Sequence, residues 1–128
     1  MASVAVVLAA GCADWSRGVS GTDAGEAGVP AQIDGGVAFT TLVHPLLLDG
    51  CGQCHGTDGE ASGTMFLLTE MAAGDYAATV AFIDRGAPTS SRLLAKMSGA
   101  GHGGGAVFAQ GSPEFATVLR WIEEGALP

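Results

Sequence analysis

Large side chains, bases and cysteines are all scarce in this chain, and each shortage excludes a class of protein. Aromatic residues make up only 6% of its 128 residues, while glycine numbers 21. Side chains so small build a modest apolar core, and a rigid apolar cofactor would supply the missing bulk. Lys and Arg number 5 against 13 Asp and Glu, for a formal net charge of −8. Nucleic-acid binding needs a positive field, so that class is excluded. Asp14, Asp23, Glu26, Asp34 and Arg17 precede residue 37, which leaves −5 on residues 37–128. That is an ordinary acidic surface, and any steering it does favours a basic partner. Cysteines number 3, an odd count, whereas disulfide scaffolds carry more in even number. Cys51 and Cys54 form a close pair and Cys12 stands alone, so the two sets need separate explanations.

Residues Ala2 to Ala10, ASVAVVLAA, form an apolar run too short to span a bilayer as a helix. The run suits the apolar region of a secretory signal, although no Lys or Arg precedes it. Gly11 and Cys12 follow, and the segment resembles the bacterial lipoprotein processing site. Ala9 stands three before the cysteine, where that site more often has Leu. The resemblance implies that Cys12 is acylated and becomes the first residue of the mature protein. Residues 1–12 are therefore expected to be an export or lipoprotein signal. Residues 13–36 are dominated by Gly, Ala and Asp without apolar period, and read as a flexible linker. The expected location is the periplasm, or the membrane through a lipid anchor.

Residues 37–128 read as one all-α domain of four or five short helices with long loops. From Val37 to Leu48 the residues Phe39, Leu42, Val43, Leu46 and Leu47 share a helical face. Pro45 predicts a kink or a restart, and Asp49-Gly50 an end to that helix. The glycine-rich stretch after it, CGQCHGTDGEASG, reads as irregular. Asp75 is expected to cap a helix running through Phe82, and Ser90 or Ser91 one from Arg92 to Met97. Residues 98–105, SGAGHGGG, read as a flexible loop. The last helix has Ser112 as cap, Pro113 first and Glu114 next, then Phe115, Val118, Leu119 and Ile122 on one stripe, with Gly125 ending it. Loops this long need something to organise them.

The chemistry lies in Cys51-Gly52-Gln53-Cys54-His55. Two thiols at this spacing can add to the two vinyl groups along one haem edge, and the adjacent histidine then reaches the iron. Covalent attachment holds haem even in a shallow pocket. Competing readings are a redox dithiol, which sits after a strand in a βαβ pattern absent here, and a zinc site. Zinc would require Cys51, Cys54, His55 and His102 together, with strain at the adjacent ligands 54 and 55.

The segments VHPLLLDGCGQCHG, SSRLLAKMSGAGHGGG and EFATVLRWIEEGA resemble the small monohaem cytochrome c domain of exported bacterial proteins, including the planctomycete-type cytochrome C group. The resemblance implies one haem c per chain, electron transfer outside the cytoplasm, and first and last helices crossing beside the haem. It also includes a histidine followed by glycines, which favours His102 over Met97 as the sixth iron ligand. Imidazole in that position gives a lower potential than thioether. His44 is expected at the surface or on a propionate. Arg85, Arg92 and Lys96 are expected to face either propionates or water, and Trp121 to serve as packing. No further catalytic apparatus accompanies the motif, so the expectation is a monomeric electron carrier rather than an enzyme, with a redox protein as partner. Two other functions compete: a haem-based binder of small gases, and an accessory module passing electrons to a larger dehydrogenase.

Overall fold

A computed structural model describes residues 36–128, and the elements within them are helical with no strand. The expected signal, the linker up to residue 35, and with them Cys12, lie outside the described residues. A π-helical turn, Phe39–Val43, leads into α1, His44–His55. Then come α2, Ala72–Val80, a 3₁₀ turn, Pro88–Ser90, α3, Arg92–Met97, and α4, Pro113–Glu123.

Pro45 explains the first junction. It has no N–H to donate into the helical ladder, so the backbone widens to a π turn before it. The helix restarts with Pro45 in its first turn, one of the two expected outcomes. The expected end at Asp49-Gly50 is not observed. α1 runs on through the whole CGQCH motif. Packing overrides the low helix propensity of glycine here, because the Phe108 ring lies against Gly50 so closely that an added Cβ would sit 2.3 Å from it. Helix α2 also differs: it starts at Ala72 and stops at Val80, so Asp75 lies within it.

The core is built from Val43 of the π turn, Leu47 of α1, Leu93, Leu94 and Met97 of α3, and Phe115, Val118, Trp121 and Ile122 of α4. Phe39 joins the parts. Its ring lies 5.4 Å from those of His44, Tyr76 and Trp121. The first helical stretch thus meets α4 through the π turn. Trp121 is fully buried and donates its indole N–H to the Leu127 carbonyl at 2.7 Å, a packing role as expected. Helix α4 begins as the sequence indicates, with the Ser112 hydroxyl accepting from Phe115 N–H at 3.2 Å. Ser91 occupies the position before α3 but spends its hydroxyl on the Asp84 N–H instead, at 2.9 Å.

Candidate functional site

Residues Cys51 and His55 are one helical turn apart on α1 and face the same side. That side opens on a cavity of about 260 Å³, lined also by Thr64, Phe66 and Phe82, by Arg92, Leu93, Lys96 and Met97 of α3, and by His102. Cys54 is exposed and is not among the lining residues. At three positions after Cys51 it sits on the neighbouring strip of the helix. Both cysteines are free thiols.

The end of α1 is fixed by its own backbone. Gly56 N–H bonds Gly52 O at 2.7 Å, Ala61 N–H bonds Cys54 O at 2.8 Å, and Leu68 N–H bonds His55 O at 2.9 Å. Gly59 makes this closure sterically feasible, since a Cβ there would lie 2.1 Å from the Cys54 carbonyl oxygen.

The two cavity histidines are arranged alike. His55 Nδ1 lies 2.8 Å from the Phe66 carbonyl oxygen, and His102 Nδ1 lies 2.8 Å from that of Gly105. A carbonyl accepts, so each Nδ1 carries the proton, and each Nε2 is left as a lone-pair donor with no hydrogen bond among the described residues. The two rings are 6.0 Å apart between centroids and only 14° from parallel. The wall beside His55 is aromatic: Phe66 meets its ring edge-on at 5.1 Å, Phe82 meets Phe66 at 5.5 Å, and Arg92 lies over Phe82 at 5.3 Å.

Met97 also lines the cavity and is buried. Arg92 and Lys96 are two of the four bases in residues 37–128, and no acidic residue lines the cavity with them. Arg85 lies elsewhere, donating to the Gly125 carbonyl at 3.0 Å. His44 is neither at the surface nor at the cavity. It is buried, with Nε2 2.8 Å from Asp75 Oδ2, because the carboxylate that was expected to cap a helix turns inward to meet it.

Burial raises the Cys51 thiol to about 11, and neighbouring Cys54 adds to the rise. A catalytic dithiol needs the opposite shift. No group of three or more His, Cys, Asp or Glu residues suited to a metal ion occurs among the described residues, which removes support for the four-ligand zinc arrangement. No helix among them is long and apolar enough to cross a membrane. Comparison with known proteins returned no similarity: no family model matches the chain, and no curated protein or solved structure does.

Proposed function

We propose that residues 37–128 form a cytochrome c-like domain that carries one covalently bound haem and transfers single electrons. The observation that carries this reading is one cavity lined by Cys51 and by two near-parallel imidazoles, His55 and His102, 6.0 Å apart between centroids. In this reading Cys51 and Cys54 supply the thioethers. Each thiol adds across a vinyl group, sulfur to one carbon and proton to the other, so no oxidant is needed. His55 and His102 would hold the iron through Nε2, each ring oriented by the carbonyl that accepts from its Nδ1. The chemistry such a group would supply is one-electron transfer. Phe66, Phe82 and Leu93 keep the surroundings apolar, while Arg92 offers charge to the propionates. The positive cavity lining offsets the acidic surface, so a redox partner touching this face meets a different charge from the domain as a whole. The N-terminal segment would export the domain and, through Cys12, anchor it.

The test is the mass of the denatured protein after periplasmic expression with haem-maturation proteins. A gain of one haem supports the reading. No gain, with both thiols intact, overturns it. In loaded protein, His102→Ala should abolish the bis-imidazole spectrum. Loss of the native spectrum on Met97→Ala instead would assign the sixth position to Met97.

A further inference from the structure

The loop that carries His102 hangs from the end of α3. At its base the Met97 carbonyl accepts from both Val107 N–H, at 2.9 Å, and Phe108 N–H, at 3.0 Å. Residues 98–106 therefore leave and return to a single peptide group. Within the loop, Ala100 N–H bonds Ala95 O at 2.8 Å and Gly105 N–H bonds His102 O at 3.0 Å. Gly99, Gly101 and Gly105 all have positive φ, at 94°, 58° and 74°. A backbone so rich in glycine has many alternatives to this shape.

One side chain from outside the loop ties its tip to the helix. The Lys96 ammonium donates to the carbonyl of Gly101, the residue just before His102. Lys96 is half-buried and lines the same cavity as His102. A charged donor makes this one of the stronger hydrogen bonds available to the loop.

We propose that Lys96 is the positioning residue for His102, holding the loop against α3 so that the imidazole stays opposite His55. This rests on the haem reading given above. The competing role, a lysine that only satisfies the end of α3, would alter stability and nothing at the cavity. With the tether cut, the loop spends more time open and the sixth position is vacated more often. An added ligand then captures it in proportion to the open fraction.

The experiment uses the haem-loaded full-length protein and carbon monoxide as probe, after reduction. Lys96→Leu removes the donor without adding an iron ligand, and should bind carbon monoxide about ten-fold faster. Lys96→Arg retains a donor and should restore the wild-type rate. In a His102→Ala background the Lys96→Leu change should add nothing, because its effect passes through His102. Amide hydrogen exchange across residues 99–105 should quicken in Lys96→Leu. Covalent haem with an unchanged carbon monoxide rate in Lys96→Leu overturns the role of Lys96 and leaves the haem reading standing. An equal acceleration in the His102→Ala background also overturns it. Failure of the wild-type protein to acquire haem overturns both.

Discussion

The two ends of α1 each carry a histidine, and the pair shows how one residue type serves opposite purposes. His44, at the first turn, is buried and gives its Nε2 to Asp75 at 2.8 Å. His55, at the last, donates from Nδ1 to a carbonyl and lines a cavity. Around His44 the polar groups are used up. Asp75 also accepts from Thr69 N–H, at 2.9 and 3.0 Å, and from the Thr69 hydroxyl at 2.8 Å. Phe39, Tyr76 and Trp121 close over that end. His44 is a structural joint, and His55 keeps a ring nitrogen with no hydrogen bond among the described residues.

The largest effect that would sharpen this contrast is the loss of both thiols. In Cys51→Ala/Cys54→Ala the mass gain of one haem should vanish, while far-ultraviolet circular dichroism stays helical. If the double variant still gained the mass, the attachment chemistry would lie elsewhere. At the other end, Asp75→Ala strands the His44 ring and the Thr69 donors, and should cost about 2–4 kcal/mol in a urea melt. It should leave haem uptake intact once folded, and a cost near zero would break the distinction between the two ends.

Acid probes the same joint. Burial opposes ionisation of the Asp75 carboxyl, but the His44 and Thr69 hydrogen bonds and the His44 charge outweigh it and hold the group below its ordinary range. The unfolded chain therefore takes up this proton first as the pH falls. Stability from this group is complete above the ordinary carboxylate range, about pH 4, and is lost as the pH drops through the lower folded value. Asp75→Asn should flatten that part of the profile, as followed by thermal melts across pH.

Smaller effects lie between the ends. Gly50→Ala forces a methyl into the Phe108 ring and should destabilise by about 1–3 kcal/mol. Tyr76→Phe removes the 2.9 Å bond to the Ala126 carbonyl and should cost about 1 kcal/mol. Both are measurable by chemical denaturation, and a larger loss for Tyr76→Phe than for Gly50→Ala would reverse their order.

Much of this was legible in the sequence where local chemistry decides. The Ser112-Pro113-Glu114 start fixes α4, and the bounds of α3 match those expected, although Ser91 makes no cap there. Of the residues that the motif and the resemblance group together, Cys51, His55, Met97 and His102 line one space, while Cys54 is exposed beside it. What escaped depends on distant partners. Gly50 looks like a helix stop until Phe108, far along the chain, is seen to require a glycine in a helix there. Asp75 looks like a cap and His44 like a surface residue until α2 packs beside α1 and each becomes the other's partner. Lys96 gave no sign of its contact with Gly101, because a loop carbonyl has no signature in sequence.

The domain's two ends are joined at one corner. Phe39 N–H bonds the Leu127 carbonyl at 3.0 Å, and Val37 N–H bonds the Glu124 carboxylate at 2.6 Å. His55 is eleven residues along α1 from His44, or about 17 Å. Anything fastened ahead of Gly36 or behind Pro128 therefore grips the same corner, by the start of α1. The His55 end of α1, which lines the cavity, is the end away from that corner. The same corner suits a circular permutant, with a short bridge from residue 128 to 37 and new ends opened at an exposed turn.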